Sequence, residues 1–317
     1  MSRKRWKVAF IGAGSMATEH LRVFAAMDDV VLSGIHSRTR SKAEQLAVEF
    51  NITTVSETPE ELYRETAADL VVITVPELQL KKVINTACRF PWAILMEKPA
   101  GYNLEDATEI ARMASAHPSP VMVAFNRRCY SSTSAVASDL DQRPGEKRFI
   151  HVQDQQSFAE ARHYGHPEEV VEKFMYANSI HMIDLIPMFG RGSIQEVRRI
   201  TPWLGGQTET MLAYVVFDSG DTALYEGLWT GPGPWACSVA TSSRRWTLAP
   251  LEQASFQNLG ERTKHTVEIS EVDKMYKPGF FVQARSVIDC LNGLESPLVD
   301  LEKSLATMRL INRIFGV

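Results

Sequence analysis

The chain has 317 residues, 44% hydrophobic and 23% charged, a balance that fits a globular protein of about two domains and excludes a disordered or fibrous one. Lysine and arginine total 34 against 38 aspartates and glutamates, a net charge of −4, which offers no basic footprint for nucleic acid; the start Ser2 to Lys7 is too short to supply one. Cys88, Cys129, Cys237 and Cys290 lie far apart with no C-x-x-C pair, against a zinc site or disulfide framework, and no apolar run reaches membrane-spanning length. A reducing, cytoplasmic setting is the expectation.

Up to Phe125 short apolar runs alternate with helical patterns, the rhythm of a parallel sheet with helices on both faces. Six strands are predicted: Val8 to Ile11, Val30 to His36, Ile52 to Val55, Leu70 to Val75, Ala93 to Met96 and Val121 to Phe125. Helices lie between them. One opens at Pro76 or Glu77, and another spans Leu104 to Ala116, where Glu105, Asp106 and Glu109 suit its N-terminal turn.

The rhythm changes after Phe125, which divides the chain into domains 1–125 and 126–317. A helix near Ser134 to Leu140 and the turn Arg143-Pro144-Gly145 lead into strands at Arg148 to Gln153, Met211 to Phe217, Thr222 to Leu228, Ser238 to Thr241 and Arg245 to Leu248. With little helix between most of them, they predict a mostly antiparallel, open sheet. Helices are predicted near Asn178 to Phe189, Phe280 to Leu291 and Leu301 to Phe315. The fold class is α/β, a doubly wound parallel sheet followed by an α+β domain.

Gly12-Ala13-Gly14-Ser15-Met16-Ala17 follows the first strand and opens a helix, the context that the G-x-G-x-x-G/A pattern requires. Gly12 permits the tight turn, Gly14 lets the backbone approach a pyrophosphate, and Ala17 allows close helix–strand packing. The helix start then presents N–H groups and partial positive charge to the anion. This is a Rossmann dinucleotide site. At the end of the second strand an acid would bind the adenosine ribose, but here stand Ser37, Arg38, Thr39 and Arg40, with no acid before Glu44. Hydroxyls and guanidinium groups suit a 2′-phosphate, so NADP is expected, with NAD the alternative.

Glu97-Lys98-Pro99, directly after the fifth strand, completes a set of motifs that resembles the Gfo/Idh/MocA family, the glucose-fructose oxidoreductase and inositol dehydrogenase group. The other parts are the glycine turn, Thr74-Val75-Pro76, Asn126-Arg127-Arg128 and the helix Asn178-Ser179-Ile180-His181-Met182-Ile183-Asp184-Leu185. The resemblance implies hydride transfer between nicotinamide and a sugar, polyol or related ketone or alcohol, with Lys98 and His181 at the family's catalytic positions. It also implies dinucleotide contacts from Gly12, Gly14, Ser15, Met16, Thr74, Pro76, Glu97, Lys98 and Arg128, and a homodimer or homotetramer formed through the C-terminal sheet. Physical chemistry agrees on the two catalytic positions. An ammonium at the carboxyl end of a buried strand can polarise a carbonyl, and an imidazole can carry the hydroxyl proton.

Many family dehydrogenases carry an aspartate four residues before this histidine; here that position is Ala177. Asn178 or, better, Asp184, one helical turn after His181, is expected to orient the imidazole. After strand four the chain reads Thr74-Val75-Pro76-Glu77-Leu78-Gln79-Leu80, without the histidine that many relatives place there. His163-Tyr164-Gly165-His166 reads as a loop over the substrate pocket, since its spacing suits no zinc helix. Trp229 to Trp235 reads as a wide turn, with Trp229 or Trp235 candidates for a subunit contact. Two rival functions remain open at this stage. One is a dinucleotide-binding sensor or regulatory protein without turnover; the other is a glycoside-cleaving or epimerising enzyme with tightly held NAD(P).

Overall fold

The computed structural model describes residues 4–294 and 297–317. In chain order the first elements are β1 (Trp6–Ile11), α1 (Ser15–Ala25), β2 (Val30–His36), α2 (Arg40–Glu49), β3 (Val55–Ser56), α3 (Pro59–Thr66), β4 (Leu70–Ile73), α4 (Glu77–Ala87), β5 (Ala93–Glu97), α5 (Leu104–Ala114) and β6 (Val121–Ala124). There follow α6 (Ser131–Asp141), β7 (Phe149–Gln155), α7 (Phe158–His163), α8 (Glu168–Glu172), a π-turn (Met175–Ser179), α9 (Ile180–Ile183) and α10 (Leu185–Phe189). Seven strands come next: β8 (Ile194–Arg199), β9 (Thr210–Phe217), β10 (Thr222–Leu228), β11 (Ala236–Ala240), β12 (Arg244–Leu248), β13 (Ala254–Asn258) and β14 (His265–Thr266). The chain closes with α11 (Glu271–Met275), α12 (Phe280–Leu291), β15 (Val299–Asp300) and α13 (Leu301–Phe315).

Contacts divide the chain into two compact units. The first runs to Asn126 and also takes in Val272–Leu305; the second comprises Arg127–Glu271 and Ala306–Val317. A single cut after Phe125 therefore misses the return of the chain. The reason is packing: Phe280, Ala284, Val287 and Ile288 of α12 join Val8, Phe10, Leu21 and Phe24 in one apolar core, so α12 covers a sheet face that β1 and α1 alone leave half clad.

In the first unit the sheet runs β15-β6-β5-β4-β1-β2-β3. Strands β1 to β6 pair in parallel, with β3 at Val55–Ser56 instead of the predicted Ile52 to Val55, and β15 adds an antiparallel edge against β6. All four residues of β4 are buried, as a strand covered on both faces requires. Helix starts follow local chemistry. Thr58 accepts from the Glu61 amide ahead of Pro59, and Asn103 accepts from the Asp106 amide.

The second unit's sheet runs β14-β13-β12-β11-β7-β10-β9-β8, antiparallel except for β7 beside β10. Along β9 and β10 buried and half-exposed residues alternate, because helices α9 and α10 pack on one face, against β7. The predicted helix over 178–189 is instead the π-turn followed by α9 and α10. Among the described residues no helix is long and apolar enough to cross a membrane, and no disulfide links the cysteines.

Candidate active site

The carboxyl ends of β1, β2, β4 and β5 bring the sequence-predicted cofactor residues of the first unit to one edge of its sheet. Gly12 takes φ +118°, and a Cβ there would stand 2.5 Å from both the carbonyl oxygen and Oγ1 of Thr74. Glycine is therefore required by the close approach of the β4 end as well as by its dihedral. A Cβ on Gly14 would meet nothing within 4 Å, and no side chain caps α1. Gly14 and Ser15 are exposed, and Met16 is half-buried. This uncapped 11-residue helix start beside an open glycine fits a pyrophosphate. Lys277, which sequence reasoning missed, lies beside it: its Nζ is 3.5 Å from Met16 Sδ. Only the return of the chain brings that cation here.

At the β2 end the four predicted phosphate-binding residues are distinguished by their partners. Ser37 Oγ accepts from the Thr39 amide at 3.2 Å. Arg40 Nε donates to Glu44 at 2.8 Å, and its guanidinium also pairs with Glu57. Arg38 and Thr39 are exposed, and among the described residues no ion pair engages Arg38. Thr74 is buried, with its amide donating to Ile11 O at 2.8 Å, and Pro76 is exposed at the cap of α4.

Lys98 follows β5 and is half-exposed. Its amide donates to Glu97 Oε2 at 3.2 Å, while Glu97 Oε1 meets His20 Nε2 of α1 at 2.9 Å. Burial raises the Glu97 carboxyl, but the hydrogen bond and charge of His20, with Lys98, hold it below its ordinary range. Glu97, expected on the cofactor, instead bonds to His20 and accepts from the amide of Lys98. His20, 1% exposed and packed at a tilt against Phe280, ties the helix that begins at the glycine turn to the segment that carries Lys98.

In the second unit His181 lies on α9, 5% exposed. The π-turn ahead of it contains Ala177, buried at 4% exposure. Asp184 accepts from Arg128 Nε at 2.6 Å, Arg128 Nη2 at 2.8 Å and Thr307 Oγ1 at 2.8 Å. Arg128 and Asp184, expected on the cofactor and the imidazole, thus face each other in a bidentate pair. Tyr176, also buried, has its phenol pushed up to about 12 by desolvation.

The two remaining clusters differ from expectation in detail. His163 ends α7, and 164–167 form a short link to α8 rather than a long loop. Among the described residues no group of three His, Cys, Asp or Glu side chains is placed to hold a metal. Trp229 is 2% exposed and packs on Phe158, Trp203 and Phe315, which removes it as a subunit contact. Its ring fills the interior of the second unit. Trp235 donates from Nε1 to Gln155 O at 2.7 Å, under the Arg127 guanidinium.

Residues 6–125 match the profile of the oxidoreductase family with an NAD-binding Rossmann fold, Gfo/Idh/MocA. That stretch is similar to the family's NAD-binding domain. No curated protein matches the chain, but solved structures share its fold over nearly its full length. A dehydrogenase from Chromobacterium violaceum is 18% identical, with a TM-score of 0.85, covering 99% of this chain and 95% of its own. UDP-N-acetylglucosamine 3-dehydrogenase from Acidithiobacillus ferrooxidans is 15% identical, with a TM-score of 0.79 and coverage of 98% and 96%. An NAD binding oxidoreductase from Klebsiella pneumoniae is 18% identical, with a TM-score of 0.78 and coverage of 98% and 96%.

Proposed function

We propose that this oxidoreductase uses NADP and acts on a polar, carbohydrate-derived ketone or alcohol. The observation that carries the reading is that Lys98 and the open Gly12–Gly14 turn lie at the same, carboxyl edge of one parallel sheet, where open α/β sheets bind their ligands. Gly14, Ser15 and Met16 hold the pyrophosphate on the α1 start, with Lys277 adding charge. Arg38, with Ser37 and Thr39, binds the 2′-phosphate; Arg40 is already engaged by two carboxylates. When bound, the dinucleotide supplies or accepts the hydride. Lys98 donates a charge-assisted hydrogen bond to the substrate oxygen, and Glu97 with His20 holds the backbone from which it projects. His181 takes or gives the hydroxyl proton.

A sugar-derived substrate is favoured because both proposed polar groups act on a C–OH or C=O centre, and because a protein of the same fold is a UDP-N-acetylglucosamine 3-dehydrogenase. The half-exposed face of the second sheet supports assembly into a dimer or tetramer. A reducing, cytoplasmic setting suits its unlinked cysteines.

The test is nicotinamide absorbance with NADPH or NADP and a panel of sugars, polyols and their ketones. Lys98→Met should lower kcat by about 100-fold or more while cofactor Kd changes by no more than about threefold. Arg38→Ala should raise KM for NADPH about tenfold or more and leave NADH unchanged. Tight binding without any absorbance change would establish a sensor instead, and cofactor that is never released would establish an internal redox shuttle.

A further inference from the structure

Beneath the turn that leads into His181 lies a carboxylate that none of the roles above uses. Asp154 stands on β7, 1% exposed. Oδ1 accepts from Gln156 Nε2 at 2.6 Å, and Oδ2 from the Tyr225 hydroxyl at 2.8 Å. Gln156 Oε1 in turn accepts from Asn178 Nδ2 at 2.9 Å. An unbroken hydrogen-bonded chain therefore runs from β10 through β7 to the π-turn, and Asn178 stands three residues ahead of His181.

The fit at the β10 end is made by a glycine. Parallel register sets Gly227 beside Asp154, and a Cβ on Gly227 would lie 2.8 Å from Tyr225 Oη. Glycine leaves the phenol room to reach the carboxylate. Ser179, fully buried, sits close to both Asp154 and Tyr225 without meeting either at hydrogen-bonding geometry. Burial raises the Asp154 carboxyl despite these donors and the charge of Arg127. An apolar side chain would hold the two strands together without burying a carboxyl group, so Asp154 has a task that strand packing does not set. A π-turn has that need: its backbone bonds are a departure from the regular helix and persist where side chains hold them.

We propose that Asp154 is a positioning residue for His181, fixing the π-turn through Gln156 and Asn178 so that the following helix presents the imidazole in one orientation. The role rests on the reading of His181 as the proton carrier. Asp154→Asn keeps the size but places a donor where the carboxylate accepted. Under turnover, Asp154→Asn and Asn178→Ala should each lower kcat about tenfold while the cofactor KM stays within about twofold. The double variant should be no slower than the worse single, because one chain is broken twice. Gly227→Ala should reproduce the loss by displacing Tyr225. Unchanged kcat, or losses that multiply in the double variant, would overturn the proposal.

A second readout does not need turnover. Ring ¹⁵N resonances, with His181 assigned through His181→Gln, should move for His181 in Asp154→Asn and stay fixed for His20 and His117. An unmoved His181 resonance overturns the proposal. If the wild-type protein oxidises and reduces nothing, the oxidoreductase reading fails and the ring resonance alone decides the positioning role. Thermal unfolding checks each variant's fold, and Asn178→Ala, at a half-buried position, serves if Asp154→Asn does not fold.

Discussion

Glu97 keeps only 13% of its side chain exposed, and burial by itself would favour its neutral form. The imidazole of His20 and the cation of Lys98 reverse that preference. Its lowered carboxyl contributes stability above the ordinary glutamate value, about 4.3, which is lost as pH falls through the lower folded value. Asp154 has a phenol and an amide for direct partners rather than a cation, and burial prevails. Its raised carboxyl means that the folded state holds this proton more tightly than the unfolded chain. Stability from this group is full below the ordinary aspartate value, about 3.9, and declines as pH rises through the raised folded value. Asp154→Asn removes that decline. The unfolding midpoint of the variant minus that of the wild type should therefore grow from pH 4 to pH 7 in calorimetry. A difference that is flat or shrinks with pH would contradict the raised value.

At the scale of elements, α12 decides whether the first unit has a complete core. Phe280 is 2% exposed, and Ala284, Val287 and Ile288 are wholly buried, all within the core that residues of β1 and α1 also form. A chain ending at residue 126 should therefore lack a cooperative thermal transition and bind a hydrophobic dye, whereas the full chain should not. Truncating Phe280 to alanine should cost about 3–5 kcal/mol in chemical denaturation. The elements hardest to read were of two kinds. Ile194–Arg199 is an edge strand with Glu196, Arg198 and Arg199 exposed, which blunts the alternation that identifies a strand. The π-turn inserts extra backbone into a helical stretch without disturbing its apolar pattern, so 178–189 reads as one helix.

On the scale of the whole molecule, the outward side of the second sheet is the surface most suited to a second copy. Leu212, Tyr214 and Val216 of β9 and Leu224 and Leu228 of β10 are half-exposed along one face, with Glu226 between the last two, a mainly apolar row of the kind that interfaces cover. Leu224→Glu, placed in the middle of that row, should shift the proposed assembly to monomer in light scattering while dinucleotide affinity stays within about twofold, since the proposed pyrophosphate and 2′-phosphate residues belong to the first unit. An unchanged molar mass would exclude this face as the interface.

What the sequence determined by itself was whatever is written in near neighbours. The glycine turn, five of the six parallel strands, the strands at 210–217 and 222–228, and the helices at 280–291 and 301–315 all follow from short-range periodicity and turn chemistry. The NAD-binding Rossmann fold was legible for the same reason, because its motif is contiguous. Tertiary structure alone decided which charges meet. Glu97 finds His20 across 77 residues, Asp184 finds Arg128 across 56 and Thr307 across 123. It also decided that Val272–Leu305 completes the first unit and that Gly227 makes room for Tyr225 to reach Asp154. Such pairings depend on strand register and the path of the chain, and a carboxylate with several arginines and histidines available has no local signal for the one it will face.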